Sequence, residues 1–122
     1  MCVAHRERVL NRPAPFKAIR SFCTANAAWT LLAAVAMPDH LHVLVAPTDR
    51  GATITQFSAG LKRFVRKTTE VSWKWQDGVF DRLLRREEAA MDKWLYMREN
   101  PVRAGLVVRW EDWPYSIGFH EL

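Results

Sequence analysis

The sequence predicts a single α+β domain over residues 1–122, built on an antiparallel sheet of the ferredoxin-like βαββαβ type. An extra C-terminal helix is expected, and most of the first strand is missing. Three observations predict this fold. Segments with helical periodicity alternate with short apolar strand segments, and a Pro-Asp turn joins two strands into a hairpin. The length of 122 residues suffices for one hydrophobic core but not for two.

The N-terminal segment is short for a strand that should lie in the middle of a sheet. Residues 1–5 hold strand-like side chains but are too few for a full strand. Residues 6–15 are predicted as a loop, because Pro13 and Pro15 interrupt regular backbone hydrogen bonding. A helix is predicted over residues 16–28, whose apolar side chains recur at helical spacing at Phe16, Ile19, Phe22 and Cys23.

The central hairpin is predicted from two apolar runs that flank Pro38 and Asp39. Residues 29–35 form the first strand by composition, and residues 40–46 return as the second. Thr53 is a plausible N-cap for the clearest helix, which is predicted over residues 54–71. One face of this helix is apolar, with Ile54, Phe57, Leu61, Phe64, Val65 and Thr68.

The other face of the same helix carries a row of positive charges. Like charges four residues apart repel one another and destabilise an isolated helix. A row that persists despite this cost suits phosphate binding, although a purely solubilising face explains it about equally well. The row consists of Lys62, Arg63, Arg66 and Lys67.

The charge of the chain is concentrated in its middle third. The whole chain has a formal net charge of +5. Residues 54–86 hold eight basic and three acidic side chains, a net +5, whereas residues 87–122 hold four basic and seven acidic ones, a net −3. The middle third is therefore the candidate for contact with a polyanion such as nucleic acid.

The composition indicates the class of protein and its cellular compartment. A hydrophobic content of 49% excludes a disordered chain. Two cysteines do not make a disulfide framework, no leader segment is visible, and the longest apolar run is too short for a membrane helix. We therefore expect a cytoplasmic protein with no membrane association.

The last third is predicted to hold one strand, one helix and a tail. Residues 79–84 form a short strand, and residues 87–100 form a helix that Pro101 ends. Residues 102–108 form a short helical turn. Residues 110–122 are expected to follow the surface as a tail anchored by Trp113, Tyr115 and Phe119. Trp73 and Trp75, just before the strand, either fill the core or stack on unpaired bases.

Two of the four histidines lie two residues apart on the second hairpin strand. Side chains on a strand alternate between its faces, so His40 and His42 point the same way, and we expect that face of the sheet to be open to solvent. Two imidazoles on one face can hold a divalent metal ion. The alternative is two ordinary polar residues on the solvent-exposed face of a strand, and a bare His-x-His favours that alternative.

A tyrosine and an asparagine on the last helix complete a candidate reaction site. Tyr96 and Asn100 are four residues apart and so share a helix face. Asn100 offers an amide oxygen to a hard cation such as Mg²⁺ or Mn²⁺. A metal ion bound one turn from Tyr96 would help its hydroxyl to attack a phosphodiester. The alternative for Tyr96 is a tyrosine at the edge of the core.

Four segments carry a resemblance to a known family. They are MPDHLHVLV from Met37, WQDGVFDRLLR from Trp75, YMRENPVRAGLV from Tyr96 and EDWPYSIGF from Glu111. Together they resemble the single-tyrosine HUH transposases, the insertion-sequence-200-like family, and most of all its REP-associated tyrosine transposase branch. The match runs from residue 29 to residue 119, and the combination of motifs is specific where each alone is not.

The resemblance implies one HUH transposase-like domain that cuts single-stranded DNA beside a REP-like hairpin through a 5′-phosphotyrosine. His40 and His42 match the metal-binding pair, Tyr96 matches the nucleophile, and Asn100 takes the place of a third polar ligand. The enzyme would use Mg²⁺ or Mn²⁺, act as a monomer or homodimer, and associate with the nucleoid. The residues predicted to bind DNA are Lys62, Arg63, Arg66, Lys67, Arg82, Arg85 and Arg103.

The chain departs from the family in its shortened first strand, which is expected to leave unpaired sheet edges. An inactive or domesticated module that binds single-stranded DNA or RNA hairpins without cutting them is therefore a second hypothesis. A zinc hydrolase is a weaker third, because His5 and His120 lie at the two chain ends and Cys23 has no metal-binding motif around it.

Overall fold

The structure, a computed structural model, describes residues 1–79 and 87–118. It confirms the predicted α+β class. The helices and strands, in chain order, are α1 (Pro13–Ala25), β1 (Trp29–Ala36), β2 (Leu41–Pro47), α2 (Ile54–Thr69), α3 (Glu87–Met97), α4 (Asn100–Arg103) and β3 (Ser116–Ile117). Two short 3₁₀ turns cover Ala4–Arg6 and Trp110–Asp112.

The sheet has the strand order β2-β1-β3, with every pairing antiparallel. The N-terminal residues extend it beyond β2, because Cys2 bridges to His40 and Val3 bridges to Trp75. Across the sheet, the segment at Trp75 is therefore followed by the N-terminal residues, β2, β1 and β3. Leaving out β3, this is the strand order of a ferredoxin-like sheet, and within the described residues isolated bridges mark the positions of its first and fourth strands.

The shortened first strand is hydrogen-bonded on both sides. On one side the Met1 amino group donates to the Leu41 carbonyl at 2.8 Å, and the Val3 amide donates to the Asp39 carbonyl at 2.9 Å. On the other side the Ala4 amide donates to the Lys74 carbonyl at 2.8 Å. The few residues present thus fill the place where unpaired edges were expected.

Helix α1 begins three residues earlier than predicted, at Pro13 rather than at residue 16. The prediction that Pro13 and Pro15 exclude regular structure is wrong. A proline in the first turn of a helix is tolerated, because the N–H it lacks would have no partner there. The buried side chains of α1 include Ile19 and Cys23, as the helical spacing predicts.

Helix α2 confirms its predicted start. The Thr53 hydroxyl accepts a hydrogen bond from the Gln56 amide at 3.2 Å, which caps the helix. The helix ends at Thr69, two residues early, because Glu70 adopts a left-handed conformation with φ 50°. Thr68, predicted on the apolar face, is exposed, whereas Ser58 is buried.

Helices pack against both faces of the sheet. Helices α1 and α2 cover one face, where Ile19, Leu61 and Leu41 meet in the larger hydrophobic cluster. On the other face Leu44 of β2 packs in a second cluster with Ala90, Trp94, Met97 and Trp113. The expectation of an open face on the histidine side is therefore wrong, because the apolar side of α3 and the C-terminal segment cover part of it.

The C-terminal segment differs most from its prediction. Ser116 and Ile117 pair with Val35 and Ala34, so part of the predicted surface tail is a sheet strand. Short strands of two residues leave almost no alternation to detect in a sequence. The indole N–H of Trp113 donates to the Ala36 carbonyl at 3.1 Å, which anchors the segment beside β3.

Both tryptophans of the segment at residues 73–75 belong to the core. Trp73 is 6% exposed and Trp75 is 9% exposed, and their rings meet edge to face. This confirms the interpretation that the two side chains fill the core. Most of the predicted strand at residues 79–84, together with Phe119, lies outside the described residues. Within the described ranges, no helix combines the length and apolar character needed to cross a membrane.

Candidate functional site

The tight turn between β1 and β2 sets the position of the two histidines. The Met37 amide donates to the His40 carbonyl at 2.8 Å and closes the hairpin. The turn is clamped from outside, because the amides of Val9 and Leu10 both donate to the Pro38 carbonyl. His40, just before β2, and His42, the second residue of β2, therefore follow a turn whose backbone is hydrogen-bonded on two sides.

The two imidazole rings lie on the same side of β2, as the strand alternation predicts. Their centroids are 4.8 Å apart and the rings meet edge to face. This separation brings the two rings close enough to act on one bound ion. The structure thus places the two histidines side by side, as one candidate site.

Asp39 links His40 to an arginine from the N-terminal segment. One Asp39 carboxylate oxygen lies 2.7 Å from Nδ1 of His40, and the other accepts from Nε of Arg6 at 2.8 Å. Burial alone would raise the pKa of Asp39, but the hydrogen bonds from Arg6 and His40 outweigh it and lower that pKa. A carboxylate against Nδ1 orients the ring and leaves Nε2 as the free donor atom, a pattern typical of metal-binding histidines.

His42 is an uncharged imidazole at neutral pH. Burial is the main cause that lowers the pKa of His42 to about 4, and the charges of His40, the N-terminal amino group, Lys93 and Arg103 contribute to the same shift. A neutral imidazole offers the lone pair that a metal ion requires.

Tyr96 lies on the exposed side of α3, with its side chain 60% exposed. Two cations flank its ring. The guanidinium carbon of Arg103 is 4.0 Å from the ring centroid, and the Lys93 ammonium nitrogen is 5.5 Å from it. The phenol is therefore accessible to a large substrate and lies in a positive environment.

Asn100 does not continue the helix of Tyr96, so the prediction of one shared helix face is wrong. Helix α3 ends at Met97, and Asn100 opens the short helix α4 with Pro101 in its first turn. Arg103 nevertheless brings Tyr96 and Asn100 together. Its Nη2 donates to the Tyr96 carbonyl at 2.7 Å and also to the Asn100 side-chain oxygen.

The residues fit a divalent cation at the histidine pair in the chemistry of their donors. His40 and His42 supply two imidazole nitrogens, and the Asn100 oxygen that would be a third ligand is bonded to Arg103. Over residues 1–79 and 87–118, no cluster of three or more His, Cys, Asp and Glu side chains is present. A third ligand from this part of the chain would therefore have to be an amide, a hydroxyl, a backbone carbonyl or a water molecule.

The predicted basic row lines an open groove of about 570 Å³ on the outer side of α2. Arg63, Arg66 and Lys67 are exposed there, and Lys74 joins them from the segment beside the N-terminal residues. Such a groove suits a phosphate backbone. The remaining lining residues are Lys62, Trp75 and Asp77.

Lys62 has a structural contact that the sequence did not indicate. Its ammonium donates to the Gln76 carbonyl at 2.8 Å and to the Gly78 carbonyl at 2.5 Å. Burial lowers the pKa of Lys62 despite the nearby Asp77 carboxylate. Arg82 and Arg85, also predicted to bind DNA, lie outside the described residues.

Three residues near the site, Asp39, Lys93 and Arg6, were not predicted as functional candidates. The sequence predicts Asp39 only as a turn residue. Its position next to His40 in the chain could have indicated that it contacts the His40 ring. Lys93 precedes Tyr96 by three residues, a helical spacing that could have indicated its contact with the Tyr96 ring. Arg6 carries no local signal, because it reaches Asp39 through a left-handed turn with φ 53°.

The position of Tyr96 depends on close packing under α3. Trp94 is 4% exposed, and its ring packs directly against Gly118. A Cβ atom added at Gly118 would lie only 2.6 Å from Cζ2 of Trp94. Gly118→Ala should therefore displace Trp94 and lower the free energy of unfolding by about 1–3 kcal/mol, as overpacked core sites do. Urea unfolding of both proteins measures this.

Gly51→Ala is the matched control for that substitution. A Cβ at Gly51 meets its nearest atom, an Asp49 carboxylate oxygen, at 3.7 Å, which is ordinary contact. The control should unfold at nearly the wild-type urea concentration. An unchanged midpoint for Gly118→Ala would contradict the packing of Gly118 against Trp94.

Comparison with known proteins finds a solved structure with this fold. No family model and no curated protein matches the sequence. Among solved structures, the chain superposes with a TM-score of 0.78 on a REP-associated tyrosine transposase bound to a REP hairpin. The two share 19% sequence identity, and the match covers 94% of this chain and 71% of the other. The chain thus has the fold of that transposase.

Proposed function

We propose that this protein is a metal-dependent DNA strand transferase of the single-tyrosine HUH type, close to the REP-associated branch, acting on single-stranded DNA with hairpins. The observation that carries the proposal is the packing of α3 against β2, which brings the helix of Tyr96 to the strand of His42. Met97, next to Tyr96 in the chain, lies in one buried cluster with Leu44, which follows His42 by two residues. The fold shared with a hairpin-bound transposase supports the same function.

The proposed reaction is a transesterification in which Tyr96 is the nucleophile. Its phenolic oxygen forms a bond to phosphorus, and the bond from phosphorus to the 3′ oxygen of the preceding nucleotide breaks. The phenol proton leaves to solvent or a nearby base, and the 3′ oxygen takes up a proton. The products are a 5′-phosphotyrosine and a free 3′-hydroxyl.

The other residues of the site would hold the metal ion and the DNA and orient the His40 ring. His40 and His42 would hold Mg²⁺ or Mn²⁺, with Asn100 as a candidate third ligand. A bound divalent ion would polarise the scissile phosphate and stabilise its developing charge. Asp39 orients the ring of His40 through the contact at Nδ1. The exposed cations of the α2 groove would hold the DNA backbone.

A covalent adduct assay tests this function. Labelled single-stranded oligonucleotides that fold into hairpins of varied stem and loop sequence are incubated with the protein and Mn²⁺. We expect a species that survives denaturing electrophoresis with hairpin DNA, and none with an unstructured oligonucleotide or with EDTA. Absence of an adduct across the hairpin set, with binding intact, would refute the strand-transferase function.

A module that binds hairpins without cutting them is the second candidate. The bond between Arg103 and the Asn100 oxygen favours it, because that oxygen is then not free for a metal ion. This candidate predicts salt-dependent hairpin binding that survives the loss of His40 and His42 and does not respond to Mn²⁺. Calorimetric titration with Mn²⁺ separates the two candidates.

A further inference from the structure

We infer that Arg103 is a positioning residue for Tyr96, a role different from the DNA contact that its charge alone suggests. Its guanidinium holds the phenol ring and Asn100 in one fixed arrangement. The inference rests on the proposed function, since it concerns the same tyrosine. It can nevertheless be tested on the free protein.

Three contacts of Arg103 converge on the Tyr96 region. The guanidinium lies 4.0 Å from the centre of the Tyr96 ring. Its Nη2 donates to the Tyr96 carbonyl at 2.7 Å and to the Asn100 side-chain oxygen. One planar group thus holds the backbone and the ring of the tyrosine together with the neighbouring amide.

The break between α3 and α4 makes this arrangement possible. Arg103 follows Tyr96 by seven residues, and the helix of Tyr96 ends at Met97. The chain turns at residues 98–99, and α4 then carries Arg103 back over the ring. The Arg103 amide donates to the Glu99 carbonyl at 2.9 Å, which fixes the turn that returns the guanidinium.

The Tyr96 ring needs such a support because packing does not hold it. With 60% of its side chain exposed, the ring would otherwise exchange among rotamers. A nucleophile that must attack in line with a leaving group loses rate when it is misplaced, by about 10²-fold for a displacement of 1 Å. Stacking on a fixed guanidinium removes that freedom before the substrate arrives.

The chemistry of arginine suits the positioning of the Tyr96 ring, whereas that of lysine does not. A guanidinium is planar, stacks on aromatic rings and donates several hydrogen bonds in fixed directions. An ammonium has the same charge but cannot stack and donate in the same geometry. A role as a simple phosphate contact, by contrast, tolerates lysine well.

The kinetic test compares Arg103→Lys and Arg103→Gln with wild type. We expect the rate of adduct formation at saturating hairpin DNA to fall by about 10- to 100-fold in both variants. The Kd for the hairpin should stay at the wild-type value. Arg109→Gln is the control, because it removes one charge from an exposed arginine that pairs with Glu111.

A backbone-contact role would give the opposite pattern and overturn the inference. The Kd of Arg103→Gln would rise, Arg103→Lys would restore it, and the rate at saturation would be unchanged. The slope of log K against log salt concentration would also fall by about 0.7 to 0.9 for one lost phosphate contact.

A spectroscopic measurement tests the positioning without DNA. The chain has two tyrosines, so Tyr115→Phe leaves Tyr96 as the one signal from ¹³C-labelled tyrosine. In that background Arg103→Gln should increase the mobility of the ring, measured by ¹³C relaxation. Unchanged mobility would overturn the inference. If wild type forms no adduct, the proposed function fails and this measurement still decides the role of Arg103.

Discussion

Tyr96→Phe is expected to abolish the covalent protein–DNA adduct, with a fall in rate of at least about 10³-fold, as when other enzymes lose a nucleophile. The substitution removes one oxygen atom, the atom that would form the bond to phosphorus. Since the side chain is 60% exposed, the loss should leave the fold and the thermal midpoint nearly unchanged. Denaturing electrophoresis with labelled hairpin DNA and Mn²⁺ measures the adduct.

Tyr115→Phe is the matched control for this substitution. Tyr115 packs its ring against Phe16 and Trp113, with centroids 5.7 and 5.5 Å away, on the apolar side of the C-terminal segment. Removal of its hydroxyl should leave adduct formation intact. An adduct that persists in Tyr96→Phe and disappears in Tyr115→Phe would show that the wrong tyrosine has been assigned.

His40→Ala and His42→Ala are expected to remove the response to Mn²⁺ altogether. Each substitution deletes one of the two imidazoles whose centroids lie 4.8 Å apart, and a single remaining imidazole is a weak site. The heat of Mn²⁺ binding should disappear in calorimetry, and adduct formation should fall to the level found with EDTA. Hairpin binding should persist, because the α2 groove is a separate surface.

The control for the histidine variants is His5→Ala. His5 is exposed in the 3₁₀ turn after the shortened first strand. Its loss should change neither the Mn²⁺ heat nor the adduct. Circular dichroism of all three variants checks that the fold is retained, since His42 is partly buried. Retention of the full Mn²⁺ heat in both His40→Ala and His42→Ala would refute the metal site.

The N-terminal segment shows what the sequence could predict about the sheet and what it could not. Composition indicated that residues 1–5 could hold only the end of a strand, and bridges at Cys2 and Val3 confirm this. Their partners, His40 and Trp75, are distant in sequence, so no local pattern could show that the gap is filled. Register between strands depends on contacts that only the folded chain creates.

The covered face of the sheet is a second feature that local sequence patterns could not reveal. The alternation of β2 correctly places His40 and His42 on one side, because the period of a strand is a local property. Whether that side meets solvent or another layer depends on α3 and on Trp113, which arrive from the far end of the chain. The depressed pKa of His42 follows from that covering.

By itself the sequence determined the class of fold, the cap at Thr53 and the placement of His40 and His42 side by side. Each of these rests on short-range spacing or on motif identity, which a linear chain displays directly. The tertiary structure alone decided that Arg103 folds back over Tyr96, that Lys62 holds the turn at residues 76–78, and that Asp39 joins Arg6 to His40. These contacts depend on where turns return the chain in space, and side-chain chemistry at one position does not encode the distance to another.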